Sequence, residues 1–563
     1  MNTELSGIIF IYVLTLVLAI PFGTYMGKVF KGEKTLLDFL APAERFLFKI
    51  CGIDTRRQMN WKQHIAALLT MNLIWFLWAM LILTTQQWLP LNPDGNAGMS
   101  PYLAFNTAIS FIVNCNLQHY SGESGVTYFS QLSVMTFLHV VSAATGMAAA
   151  VVLFYAFINK TTAALGNFFH YFLLSITRIL LPVSIVIAII LAFNGTPASF
   201  EGKDTFISMQ GDTVNVSRGP AAGMIAIKHL GTNGGGWFGA NSAHPLENPN
   251  YFTNVVEMVV QTLIPVAMIF AMGYFTGRKK MAWIIFGVMT AGFLMLVIPA
   301  VHFEMQGSTD ISKMGIDQSL GSMEGKEVRF GSAASAYWAV ITTVISTGSV
   351  NAMHDSMTPM TGLVTLLAMM TNAFYGGCGV GLLNFYVFLI ITVFIGGLMV
   401  GRTPELFGRK VEAREVKVAI LIALIHPFII LIPTALAAFG ITSHPDYGWL
   451  NNPGYHGFSE ILYEYTSSAA NNGSGFEGLG DNTMWWNIST GFVMILGRYL
   501  PLIGPMAIAG MLAFKKYIPE SAGSLKPDSV TFGFTILAVI WIVAALSFFP
   551  ALVLGPFAEY FSL

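Results

Sequence analysis

Apolar residues run along this chain in blocks too long for the core of a soluble domain, and the polar stretches between them are of two kinds, short basic ones and long ones rich in Gly, Asn, Ser and Thr. Blocks able to cross roughly 30 Å of hydrocarbon fall at about 7–27, 63–86, 129–158, 176–193, 254–275, 282–303, 361–400, 418–441, 484–514 and 531–556. They predict ten transmembrane helices in an all-α polytopic membrane protein. The seventh block is too long for one straight crossing and contains "YGGCGVG" at 375–381, whose glycines weaken a helix and predict a break within the membrane. The first block, "GIIFIYVLTLVLAI", has no basic leader and no following small-residue cleavage pattern, so it reads as a retained helix rather than a signal peptide.

The two kinds of polar stretch alternate, and charge says which side each occupies. With the N-terminus outside, the segments 28–62, 159–178, 276–281, 401–417 and 515–530, together with Arg498 near the inner end of its helix, face the cytoplasm and hold 22 of the 28 Lys and Arg residues. The external side, although its loops are longer, holds six basic residues and 20 of the 29 acidic ones. Basic residues concentrate on the cytoplasmic side of membrane proteins, so both termini are expected outside.

The four long external connections, 91–128, 194–253, 304–360 and 443–483, each carry one cluster: "SFIVNCNLQHYSGESG" at 110–125, "IKHLGTNGGGWFGANSAHP" at 227–245, "TTVISTGSVNAMHDS" at 342–356 and "YTSSAANNGSGFEG" at 465–478. With Asn116, Gly234, Gly348 and Gly473 as markers the gaps are 118, 114 and 125 residues, the near-constant period of an internal repeat. Each unit reads as helix, short re-entrant helix and loop, helix. The units span 63–158, 176–275, 282–400 and 418–514, flanked by single helices at 1–28 and 531–563.

Bare backbone is costly in hydrocarbon unless protein or water satisfies it, so four non-helical turns at membrane depth are expected to converge on a shared polar axis. Glycine permits conformations that aim consecutive carbonyls inward, and an ion enters when those oxygens replace its hydration shell. Short helices at about 101–112, 220–229, 333–344 and 458–468 would point C-terminal ends, with their partial negative charge, at that axis. The four central triplets contain no Asp or Glu. Divalent cations usually recruit carboxylates, so the lining suits a monovalent cation, potassium first, with sodium left open by composition.

Other readings fit less of the chain. "GTNGGG" lacks the Gly-Lys-Ser/Thr ending and the strand-loop-helix setting of a phosphate loop. A single such cluster reads equally well as a surface turn, whereas four in register with the topology do not. Cys51, Cys115 and Cys378 match no metal or redox spacing, and Cys115 is expected to offer its carbonyl rather than its sulfur. His119, His229, His244, His354 and His456 are expected to be hydrogen-bonded loop residues near the outer face. Asp355, Glu123 and Glu460 would either attract cations at the mouth or hold the loops.

The clusters, with "MNWKQH" at 59–64, "ITRILLPVS" at 176–184, "GSMEGKEVRFG" at 321–331, "GRTPE" at 401–405 and "NPGYHGFSEILYEY" at 452–465, resemble the potassium-binding component of the bacterial Kdp potassium-transporting ATPases, from near residue 10 to the end. The resemblance implies four potassium-channel-like helix/pore-loop/helix repeats in one chain of a bacterial inner membrane. It implies a non-catalytic subunit that takes extracellular K+ into a selectivity filter and passes it through an intramembrane tunnel to a P-type ATPase catalytic partner, the Kdp B component, in a complex with the small C and F components. By the same resemblance the filter residues are Asn114, Cys115 and Asn116; Thr232, Asn233 and Gly234; Ser346, Thr347 and Gly348; and Asn471, Asn472 and Gly473. Family members often have Thr at the place of Cys115 and Cys at that of Thr347, where backbone oxygen would matter most. Gln118 resembles a position tied to ion affinity, Gly377 and Gly379 fall in the family's intramembrane loop, and Arg402 resembles an arginine near the cytoplasmic vestibule.

K+ is then the transported ion, no cofactor is expected, and the partners are the other components of the complex and membrane lipids, not nucleic acid. The chain itself has no phosphorylatable "DKTGT" stretch and no Walker loop, so ATP coupling would come from a partner. A stand-alone channel or secondary cation permease of the same repeat architecture is the alternative that the residues alone leave open. A membrane enzyme would need a cluster of reactive side chains at the membrane boundary, and the conspicuous clusters here are neutral.

Overall fold

A computed structural model describes residues 3–158, 161–399, 401–518 and 526–562. Residues 159–160 and 519–525 of two predicted cytoplasmic loops, Val400 of the third repeat, and the terminal Met1, Asn2 and Leu563 lie outside the described residues. Among the described residues ten helices are long and apolar enough to cross a membrane. Several begin on a polar side chain that takes up a free N–H of the first turn. Asn60 accepts from Gln63 N, Asn250 from Thr253 N, Thr483 from Trp486 N and Ser529 from Phe532 N.

The long helices sort by burial. Tyr128–Ala156 and Tyr251–Thr276 are encased by other helices, whereas Glu4–Lys31, Trp61–Trp88, Phe168–Phe193 and Ala413–Ser443 leave most of their apolar surface open. Leu77, Trp78, Ile185, Leu421 and Phe428 are among the exposed side chains. In water such a surface would drive aggregation; against lipid tails it is a solvent-matched face.

The seventh block is two helices, Pro359–Thr371 and Val380–Met399. The chain between them turns at Asn372, Tyr375, Gly376 and Gly379, all with positive φ, so the break expected at 375–381 is present and starts three residues earlier. Four short helices interrupt the external connections: Pro101–Ile112, Ala221–Leu230, Ser332–Val344 and Tyr455–Ala470. The last extends beyond the predicted 458–468 at both ends.

Two features differ from the sequence reading. A two-stranded hairpin, Asp204–Ile207 with Thr213–Val216, stands in the second external connection, and its mostly exposed strands carry no period that a buried sheet would impose. Arg498 is not at an inner helix end. It lies half-way along Met484–Phe514 and is buried, so it does not contribute to the cytoplasmic charge as predicted. A hydropathy profile cannot detect a single charge that neighbouring helices shield from lipid.

Candidate functional site: a ring of four pore loops

Each short helix runs into its cluster in the same way. The N–H of the middle residue of each triplet returns to a carbonyl five residues earlier: Cys115 N to Ser110 O (3.0 Å), Asn233 N to Lys228 O (2.8 Å), Thr347 N to Thr342 O (2.9 Å) and Asn472 N to Ser467 O (2.9 Å). In the third and fourth loops the next N–H is held by the side chain at that same earlier position, Gly348 N on Thr342 Oγ1 and Gly473 N on Ser467 Oγ, both at 2.9 Å. The helix ends thereby consume the donors of the loops. Apart from Thr232 O, which accepts from Asn114 Nδ2, the triplet carbonyls are left as the groups still needing a partner.

Backbone dihedrals turn those carbonyls together. The first and third residues of every triplet have positive φ: Asn114 62° and Asn116 60°, Thr232 52° and Gly234 95°, Ser346 53° and Gly348 93°, Asn471 51° and Gly473 97°. The residues between them keep negative φ. Alternating hands rotate successive peptide planes so that consecutive carbonyls share a side, instead of opposing as in a strand. Such a row of oxygens replaces the water shell of a dehydrated cation.

The loops touch in a closed order. A Cβ on Gly234 would overlap the Thr347 carbonyl oxygen, one on Gly348 that of Asn472, and one on Gly473 that of Cys115. Between the first and second loops, Gly235 abuts the Asn116 carbonyl in the same manner. Asn114 Nδ2 donates there to Thr232 O at 2.8 Å, and Asn233 Nδ2 donates to Asn114 Oδ1 at 2.6 Å. Ser142 Oγ completes this seam by donating to Asn114 Oδ1 at 2.7 Å. All twelve residues of the four triplets are therefore gathered in one ring, and all but Gly473 are buried.

Gln118 joins the ring from the first loop and bonds the backbone of Gly236 in the second. Beneath the ring, Cys378 N donates to Thr232 Oγ1 at 3.0 Å and Gly377 packs against Thr232 and the Ile345 carbonyl. Gly379 abuts the Gly146 carbonyl, and the guanidinium of buried Arg498 lies beside Gly146. The broken seventh block thus presses against the inner ends of two pore loops. Arg402, by contrast, is exposed in the turn after Val380–Met399, its N–H on Gly397 O.

The five histidines are hydrogen-bonded, although His229 and His456 belong to pore helices and not to loops. His119 donates from its two ring nitrogens to Asn487 Oδ1 and Glu464 Oε1, both at 3.0 Å. Burial disfavours its charge, but the Asp481 and Glu464 carboxylates outweigh burial and hold its pKa up at about 9. Burial pushes the Cys115 thiol up, which keeps it neutral, and its Sγ lies 4.0 Å from Ser467 O. The three cysteines are free thiols.

The model of the potassium-transporting ATPase A subunit family matches residues 9–561. This chain belongs to that family. The potassium-transporting ATPase potassium-binding subunits of Flavobacterium johnsoniae and Bacteroides thetaiotaomicron are 63% and 56% identical to it over the whole of both chains. That of Geobacillus kaustophilus is 45% identical over 98% of each. Among solved structures, the potassium transporter TrkH from Vibrio parahaemolyticus has a similar fold, with a TM-score of 0.50 at 13% identity, covering 89% of this chain and 98% of its own.

For a chain of this family, the residues that sequence reasoning missed are the acceptors behind the ring, Ser110, Lys228, Thr342 and Ser467, and the buried Arg498. The four acceptors had a signal. They stand at one register in the repeat, five positions before each middle residue, and three of the four carry a hydroxyl.

Proposed function

We propose that this chain is the potassium-binding subunit of an ATP-driven uptake complex, and that K+ is dehydrated in the ring formed by Asn114–Asn116, Thr232–Gly234, Ser346–Gly348 and Asn471–Gly473. The observation that carries this reading is the fourfold pairing of alternating φ with N–H groups tied back to the pore helices. It leaves carbonyl oxygens, and no carboxylate, to face the ion. Neutral oxygens suit a weakly hydrated monovalent cation, whereas divalent ions call for carboxylates. Gly377 and Cys378, lodged against Thr232, obstruct straight passage to the cytoplasm. Buried Arg498 adds a repelling charge on the same side.

Passage sideways to a partner fits that geometry, and we assign the partner as the P-type ATPase catalytic component of the Kdp complex, Kdp B, accompanied by the small C and F components. The chain itself is then non-catalytic. The location is the bacterial inner membrane with both termini outside, supported by the bias of basic residues to the other side.

The test is to purify the tagged chain with its complex from native membranes in mild detergent and to measure ATP hydrolysis while titrating K+ against Na+. Hydrolysis stimulated by K+ alone, and lost in Gly234→Asp, is the expected result. A folded chain that binds K+ with no associated ATPase activity would make it a stand-alone channel or permease.

A further inference from the structure

Among the described residues, one cluster of three metal-ligating side chains lies apart from the ring. Asp355 follows the third loop, and His456 and Glu460 lie on the fourth pore helix. One ligand atom from each of the three lies within 4.8 Å of the other two. His456 Nε2 is 2.9 Å from Asp355 Oδ1, and its Nδ1 is 2.8 Å from Glu559 Oε1 near the C-terminus. Asn452 Nδ2 reaches Glu460 Oε1 at 2.9 Å and Asp355 Oδ2 at 3.4 Å. A cavity of about 560 Å³ opens beside them, lined in part by Asp355, His456, Glu477 and Glu559.

The second observation is the other oxygen of Glu460. Glu460 is fully buried, yet its Oε2 has no hydrogen-bond partner. Burying a carboxylate oxygen without a partner is unfavourable, and a cation is a partner that would satisfy it. Carboxylates and an imidazole are donors that first-row divalent metals accept, zinc among them. Glu559 on the remote ring nitrogen supplies the outer carboxylate that usually orients a metal-bound histidine.

We propose that Asp355, His456 and Glu460 form a divalent-cation site of the zinc class at the mouth of the ring, with Glu559 orienting His456. The site spans the segment after the third loop, the fourth pore helix and the C-terminal helix, so an ion there ties the C-terminus to the filter loops. Ligands of a zinc ion stand about 2.0–2.2 Å from it, so the three groups draw in from their present spacing. Binding displaces a proton from His456. A metal-bound imidazole is neutral, so affinity rises with pH.

The experiment is a Co2+ titration of the metal-stripped, detergent-purified complex, read by the visible ligand-field absorption of Co2+ and by proton release. The expected result is one Co2+ per chain, displaced by Zn2+ but not by K+, with roughly one proton released. His456→Gln and Glu460→Gln each weaken it more than about tenfold, and Glu559→Gln, which keeps all three ligands, weakens it by about 10- to 100-fold. Co-purification of the partner chains checks the folding of every variant. Absence of stoichiometric Co2+ binding to the unaltered complex, or binding indifferent to Glu460→Gln and Glu559→Gln, would overturn the proposal and leave an ion-paired clamp. Competitive displacement by K+ would overturn it too, and assign the cluster to the transported ion.

Discussion

Gln118 and Gly236 are joined by two opposed hydrogen bonds: Gly236 N donates to Gln118 Oε1 at 2.9 Å, and Gln118 Nε2 donates to Gly236 O at 3.2 Å. A side-chain amide thus acts as a piece of backbone, locking the first pore loop to the second where the ring has its side-chain seam. Replacing it with Leu strands a donor and an acceptor, at a cost of about 1–3 kcal/mol each. Gln118→Leu is expected to weaken K+ stimulation of ATP hydrolysis by at least about tenfold. Gln118→Glu, which keeps the acceptor alone, should fall between it and the unaltered protein.

Gly234, Gly348 and Gly473 combine positive φ with a neighbouring carbonyl oxygen where a Cβ would stand. Any of these changed to Ala must strain the loop by about 1–3 kcal/mol or push the next loop away. Equilibrium Rb+ binding is expected to drop by about tenfold or more, and preference over Na+ to narrow. Gly223 is the internal control. It sits in the second pore helix with nothing within 4 Å, so Gly223→Ala should leave binding intact and add about 0.5–1 kcal/mol of stability.

Arg498 and Arg402 differ in setting although both are basic. A buried charge beneath the ring acts through little water, whereas an exposed one is screened within about 10 Å at 0.1 M salt. Arg498→Gln is therefore expected to raise the ATP hydrolysed per K+ carried in proteoliposomes, and Arg402→Gln to raise it less. An equal effect of the two, with complexes intact, would remove Arg498 from the exit.

His119 is held charged by Glu464 and Asp481, with its pKa lifted from 6.5 to about 9. A raised pKa gives stability that is fully present below about pH 6.5 and is lost as pH climbs through about 9. The apparent Tm of the complex should decline across that window. His119→Gln should be less stable at the low end and flatter across it.

Much of this architecture is legible in the sequence because it rests on length and period. Spans declare themselves by hydropathy, and the pore helices by the short apolar run before each cluster; Pro101–Ile112 matches its expected bounds. The glycines at 376–381 likewise announce a break. What stays hidden depends on partners brought from far along the chain. That Gly473 meets Cys115, or that Arg498 is shielded at mid-helix, follows from packing. The exposed strands of Asp204–Ile207 and Thr213–Val216 bury too little to leave a pattern.

The first loop departs from the other three, for Asn116 stands where they have glycine. In a tetramer of identical chains every mutation arrives in four copies, and a filter must keep fourfold sameness or fail. Here the four quarters are written separately in one reading frame, so each can drift alone at single dosage. Asymmetry becomes heritable, one residue at a time.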